Sequence, residues 1–289
     1  MIVKRAFSPT KITTIFCFNE SGEILEGGFT LGRGVLVRVE AEENPEKTIE
    51  TRVNGKARSL PVTREVAREI LGKTPQNLSL TIDQSFEVPV GWGLGTSGAS
   101  ALATAIAVSI IAGVKLTYTD IVNIALRVDE RLTGRRGDVQ LISIGGFLVM
   151  APTDSGDCHI IRILFTSETR VVIALLGSSG SISKLVNPRL ARELYEKALR
   201  SITRDPSPET LVKESWSFAQ KVGLPSPLIA KGVKIALENG ALAASQVMGS
   251  NAVFALTEPE KALAVKSCLE RLGARTVVTG VDSCPPRSL

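Results

Sequence analysis

Near the start of the chain, apolar residues alternate with polar ones in four stretches rich in Val, Ile, Thr and Phe: 3–7, 12–18, 35–41 and 78–88. A period of two in β-branched and aromatic residues predicts strands. Between the third and fourth, 63–71 reads as a short helix. Two longer helices follow at 97–112 and 119–132. The second opens on Thr119 and Asp120 and sets Ile121, Val122, Ile124, Ala125 and Val128 on one side. A glycine-containing loop at 133–137 then leads into a predicted strand at 139–150, broken at Gly145 and Gly146. Beyond it come strands at 158–164 and 170–176, helical patterns at 187–201, 208–222 and 227–239, and the apolar segment 251–256. A helix at 258–272 and a strand at 275–278 complete the pattern. Strands first, then mixed helices and strands, predict an α+β chain of two layered lobes. The boundary falls near 155–168, where Asp, Ser, Gly and Thr accumulate. No internal repeat is visible, and 285–287 is expected to fray.

Composition narrows the possible functions. With 289 residues, 44% hydrophobic and 22% charged, the chain can bury a substantial core as a compact soluble protein. A net charge of +5, without any Lys/Arg cluster and with 4% aromatic residues, offers no nucleic-acid arm or base-stacking platform. It suits small anionic ligands. The N-terminus lacks the apolar stretch of a secretory signal. The longest apolar run, 99–114, is interrupted by Ser and Thr and falls short of the roughly 20 residues a membrane span needs. Cys17, Cys158, Cys268 and Cys284 are scattered and His159 is the single histidine, which disfavours a zinc site and a Ser-His-Asp triad. Reduced thiols in a cytoplasmic protein, with no membrane or nucleic-acid partner, are the expectation.

The most informative segment runs from Glu87 to Ser100 and passes directly into the Ala-rich helix. Gly91, Gly93 and Gly95 lie within five positions, so the backbone can turn tightly and approach a ligand without a Cβ in the way. Thr96 and Ser97 follow where the helix begins, and its first amides are unpaired at the positive end of the dipole. Strand, glycine loop and helix start together make an anion site, and a polyphosphate is the usual anion. Taken alone, the segment is as readily a tight strand-to-helix turn with Ser as cap. It is neither a GxxxxGK(S/T) loop nor a GxGxxG fingerprint.

The run Pro89-Val90-Gly91-Trp92-Gly93-Leu94-Gly95-Thr96-Ser97-Gly98-Ala99 resembles the PxxxGLGSSAA loop of the GHMP kinases, the galacto-, homoserine, mevalonate and phosphomevalonate kinases. In that family the loop wraps the phosphates of ATP. The similarity extends over most of the chain. Ala6-Phe7-Ser8-Pro9-Thr10-Lys11-Ile12-Thr13 resembles the family's APxK opening and puts Lys11 where several members hold a phosphate-contacting lysine. The segment from Glu130 to Asp138 resembles the one carrying a magnesium-binding acid and a catalytic aspartate. The resemblance therefore implies ATP and Mg2+ as cofactors, with Ser97 and either Asp129 or Glu130 on the metal. Spacing leaves those two acids open. Asp138 would orient or deprotonate an acceptor hydroxyl while Lys11 offsets charge on the transferring group. The implied fold is a two-lobed GHMP kinase: an ATP-binding lobe over 1–160 resembling ribosomal protein S5 domain 2, and a ferredoxin-like lobe over 161–289 contributing to the acceptor site.

Within the family, three segments resemble the archaeal branch that phosphorylates pantoate: 11–16, 27–35 and 133–139. The short run 248–254 stands where the family's third motif lies. Two departures concern the acceptor side. Lys11 occupies a position where that branch usually has His, and its longer Gly-Ser-Arg-Gly-Ala-Gly turn is shortened to Glu26, Gly27 and Gly28. Gly27 and Gly28 are accordingly expected near the acceptor, and Arg135, Arg136 or Lys184 would hold its carboxylate. The Ser/Gly run 178–183 either closes over the acceptor or simply starts a helix. The branch implies a homodimer. Rival expectations are a kinase of another small hydroxylated metabolite, or a catalytically silent nucleotide sensor.

Overall fold

Residues 2–19, 22–134, 137–153, 158–179 and 186–289 are described by the structure, a computed structural model. The chain opens with two long antiparallel strands, β1 (Ile2–Phe18) and β2 (Ile24–Glu43). The strands expected at 3–7 and 12–18 are one strand, and the Ser-Pro-Thr that interrupts the sequence pattern is a register shift between Pro9 and Thr10. A second shift lies between Thr13 and Ile15. β2 begins well before 35. Its glycines mask it in sequence, but they make close pairing possible: a Cβ on Gly28 would sit 2.2 Å from the Ile12 carbonyl oxygen.

There follow β3 (Ile49–Val53), β4 (Lys56–Ala57), helix α1 (Pro61–Leu71), β5 (Leu78–Phe86), α2 (Thr96–Ile111), α3 (Tyr118–Thr133), α4 (Gly137–Ile142), β6 (Phe147–Pro152) and β7 (Cys158–Ile163). The predicted strand at 139–150 is therefore wrong in its first half. Its apolar run hides a helical spacing, with Val139 and Ile142 both turned into the core beneath α2. Gly145 and Gly146, at φ 80° and 85°, then turn the chain into β6. α2 is buried almost all round, and its Ala, Gly and Ser residues let it lie close to β1, β2, α1 and α3.

The remaining elements are β8 (Arg170–Ser179), α5 (Pro188–Arg204), α6 (Pro208–Lys221), α7 (Pro227–Glu238), β9 (Ala243–Gln246), β10 (Ser250–Thr257), α8 (Pro259–Glu270), β11 (Arg275–Gly280) and β12 (Arg287–Ser288). One sheet runs β12-β1-β2-β5-β3-β4, with β6 and β7 branching from β2. The other is antiparallel in the order β11-β8-β10-β9, the ferredoxin-like arrangement. The fold is α+β. The two sheets share a core at Phe29, whose ring stacks on Phe147 at 4.6 Å and meets Phe254 edge-on at 5.5 Å. The C-terminus is not frayed: Arg287 and Ser288 pair with Phe7 and Ala6, and the Arg287 guanidinium lies 4.8 Å over the Phe7 ring. Among the described residues, no helix is long and apolar enough to cross a membrane.

Candidate active site

The glycine loop joins β5 to α2. Its entry is pinned where the Gly34 amide donates to the Glu87 carboxylate at 2.9 Å. Pro89 is half-buried and Gly91 lies exposed at the mouth, whereas Leu94 is buried in the core. Gly91, Gly93 and Gly95 all take the left-handed conformation, at φ 84°, 70° and 63°. Two of them also need the space. A Cβ on Gly93 would come within 3.2 Å of the Met248 carbonyl oxygen, so the segment 248–254 packs against the loop. A Cβ on Gly95 would meet Lys11 Cγ at 2.8 Å.

Gly95 caps α2 and has no side chain to offer its amides. The first intrahelical bond here runs from the Ala99 amide to the Gly95 carbonyl at 3.1 Å. The amides of Thr96, Ser97 and Gly98 therefore have no carbonyl in a preceding turn and stand at the positive end of the helix. Such a helix start can receive the oxygens of an anion such as phosphate.

Lys11 reaches the same place from β1. Its amide donates to the Leu94 carbonyl at 3.2 Å, tying the strand to the loop. Its ammonium is 1% exposed, pairs with Asp138 Oδ1 at 3.0 Å and with Glu26 Oε1, and donates to Thr13 Oγ1 at 3.2 Å. Thr13 Oγ1 in turn donates to Glu26 Oε2 at 3.0 Å. Asp138 arrives from α4. A Cβ on Gly98 would lie 3.2 Å from Asp138 Cβ, so this glycine lets the start of α4 press against the start of α2.

One ammonium thus serves two buried carboxylates. Burial works against the proton on Lys11, but Glu26 and Asp138 outweigh it and hold the amine above the ordinary lysine value. Burial pushes the Glu26 carboxyl up; Lys11 opposes that rise, and the charge of Asp138 adds to it. Glu26 was not singled out from sequence. Its signal is an acid between apolar Leu25 and two glycines, in the turn that departs from the resembled branch.

α3 resolves where its two acids point. The buried face Ile121, Ala125, Val128 continues to Asp129, which is fully buried, while Glu130 turns partly to solvent. Ser97 Oγ donates to Asp129 Oδ1. A hydroxyl and a carboxylate beside such a helix start are hard oxygen donors. Among the described residues no cluster of three His, Cys, Asp or Glu could hold a metal by itself. That sparse set fits Mg2+, which binds through one or two carboxylates plus phosphate oxygens.

The predicted acceptor residues are less concentrated. Gly27 and Gly28 are buried in β2, between β1 and β6, where a Cβ on Gly27 would meet Ile15 Cγ1 at 3.0 Å. Their bareness serves strand packing. Arg135, Arg136 and Lys184 lie outside the described residues, as do 180–183 of the Ser/Gly run.

A helix start bare of capping side chains, beside a buried lysine–aspartate pair, is an arrangement suited to a small-molecule kinase, and the chain carries a GHMP-type N-terminal domain. Residues 61–146 match the family described as GHMP kinases N terminal domain. A "Pantoate kinase" from Thermococcus kodakarensis is 29% identical over 92% of this chain and 91% of its own length. A "Mevalonate kinase" from Thermococcus sibiricus is 26% identical over 92% and 85%. Among solved structures, a "Phosphotransferase related to CoA biosynthesis pathway" superposes with a TM-score of 0.88 at 24% identity, covering 100% of this chain and 99% of that one. The mevalonate kinase of Methanococcus jannaschii superposes with a TM-score of 0.73 at 17% identity, over 97% and 98%.

Proposed function

We propose that this kinase transfers the γ-phosphoryl group of ATP to the 4-hydroxyl of pantoate, giving 4-phosphopantoate on the way to coenzyme A. The observation that carries phosphoryl transfer is the 3.0 Å pair of Lys11 and Asp138 at the foot of the glycine loop, and the choice of pantoate rests on the relatives. It is supported by similarity to a pantoate kinase over nearly the whole chain.

In this reading the amides of Thr96, Ser97 and Gly98 bind the phosphates, and 89–95 wraps them. Ser97 and Asp129 would hold Mg2+, which would supply charge neutralisation during transfer. Asp138 takes up the proton of the acceptor hydroxyl as that oxygen attacks, and Lys11 keeps the carboxylate oriented. Transfer is direct and in line, and no phosphoenzyme is needed. We assign ATP binding to 1–160 and a share of the acceptor site to 161–289. The acceptor carboxylate falls to Arg135, Arg136 or Lys184.

Mevalonate is the second reading, favoured by the mevalonate kinases among the relatives and by a lysine at position 11 where the pantoate branch has histidine. ADP release with Mg-ATP and a panel of pantoate, pantothenate, homoserine, shikimate, mevalonate and phosphomevalonate separates the two. Pantoate is expected to give the highest kcat/KM. A clear preference for mevalonate would overturn the acceptor and leave the kinase standing.

A further inference from the structure

We infer that Glu26 is a positioning residue for phosphoryl transfer: it fixes the Lys11 ammonium against Asp138 and offsets the charge that Asp138 faces. The inference rests on the reading of Asp138 as the proton acceptor.

The geometry singles Glu26 out. It is only 4% exposed, in β2 directly across from β1, and both its oxygens are engaged on the Lys11 side. Oε1 pairs with the ammonium itself, and Oε2 accepts from the Thr13 hydroxyl that also accepts from Lys11. All three N–H bonds of Lys11 therefore have protein acceptors: Glu26, Asp138 and Thr13. A flexible four-carbon side chain is held at a single point, which is what a transfer site needs, because an ångström of drift is costly.

The charge has a separate consequence. An isolated ammonium 3.0 Å from a carboxylate makes that carboxylate a poorer proton acceptor. With Glu26 on its other side, Asp138 faces a nearly neutral ion pair. It keeps a strong hydrogen-bond donor for orientation. Among the described residues, the charged groups meeting Glu26 are Lys11 from β1 and Asp138 from α4. β6, alongside, carries no titratable side chain. Tyr195 of α5, the other titratable neighbour, is buried and donates its hydroxyl to the Met150 carbonyl. Burial raises the Glu26 carboxyl, and the Lys11 ammonium opposes that rise.

The test is the pH profile of kcat in Glu26→Gln, measured on whichever acceptor the wild type phosphorylates. The plateau is expected to fall on the order of 10²-fold with KM for ATP little changed. The acid limb is expected to move to lower pH, because the Lys11 ammonium then pairs with Asp138 alone. Glu26→Asp, which retains the charge on a shorter arm, should lose kcat but keep the limb near its wild-type position. A limb unmoved in Glu26→Gln, or moved to higher pH, overturns the inference and leaves a purely structural role. Should Glu26→Gln not fold, the limb of Glu26→Asp decides: a shift of a unit or more contradicts the charge offset. Turnover of mevalonate rather than pantoate defeats the acceptor assignment only. A wild type silent on every acceptor defeats both.

Discussion

Asp138→Asn is expected to lower kcat by roughly 10²- to 10⁴-fold, the range for loss of a positioned acid–base group. Asparagine has nearly the same shape and still offers Lys11 an oxygen acceptor at the 3.0 Å position, so the start of α4 need not move. Nothing at the start of α2 changes, since Asp138 meets α2 through its Cβ against Gly98, a contact that asparagine preserves. Affinity for Mg-ATP, read by titration calorimetry, should therefore stay within a few-fold. A variant retaining full kcat would show that Asp138 does not handle the acceptor's proton. One losing ATP affinity and kcat together would place it on the nucleotide instead.

Lys11→Met carries the second large effect, and it falls on stability as well as activity. The ammonium is the shared partner of two buried carboxylates, and removing one side of such an arrangement costs roughly 3–5 kcal/mol. The pH dependence follows from the signs. In the wild type, the Lys11 amine sits above its ordinary value, so its stabilisation is complete below that value and is lost only as pH rises through the folded one. Glu26 is also raised, which favours its protonated form in the folded state and adds stability at low pH that is lost as pH rises through its folded value. Without Lys11, burial acts on that carboxyl unopposed. The variant's deficit should be largest at neutral pH and shrink as pH falls through about 5, where carboxylates take up protons. Denaturant unfolding at several pH values measures this. A deficit independent of pH would mean that methionine fails by shape and that the ion pair contributes little. Lys11→Met/Glu26→Gln should recover part of the loss at neutral pH without recovering turnover.

Much of this molecule was legible in the chain, for physical reasons that can be named. Helices α5, α6 and α7 each begin at a proline preceded by Asn187, Ser207 or Ser226, whose side chains accept from the first-turn amides, so both pattern and punctuation agree. α3 starts at Tyr118, one residue before the Thr119-Asp120 start read from sequence, because its cap is Thr117, which forms a reciprocal capping box with Asp120. Where the pattern misled, tertiary packing had overridden it. β9 is Ala-Ala-Ser-Gln, with no β-branched residue, and is a strand because it is buried against β10. α4 carries valine, leucine and isoleucine, which read as a strand until Val139 and Ile142 are seen to share one face.

The site divides along the same line. The glycine loop lies in one stretch, so its left-handed glycines and uncapped helix start could be anticipated. Asp129 and Glu130 are adjacent in sequence and differ by a hundred degrees around a helix, and that angle was visible only in the burial of Ile121, Ala125 and Val128. Glu26 was out of reach because its role depends on cross-strand register. The shift between Thr13 and Ile15 decides which residues of β2 stand beside Lys11.

The central claim is that this chain moves a phosphoryl group from ATP to an acceptor hydroxyl held near Asp138, and the most direct test is phosphorus NMR of the wild-type protein with Mg-ATP and pantoate. The account predicts a new phosphomonoester resonance growing in step with ADP, with no matching inorganic phosphate. ADP accompanied by inorganic phosphate alone, or ATP bound and unchanged with pantoate and every other acceptor in the panel, would contradict it.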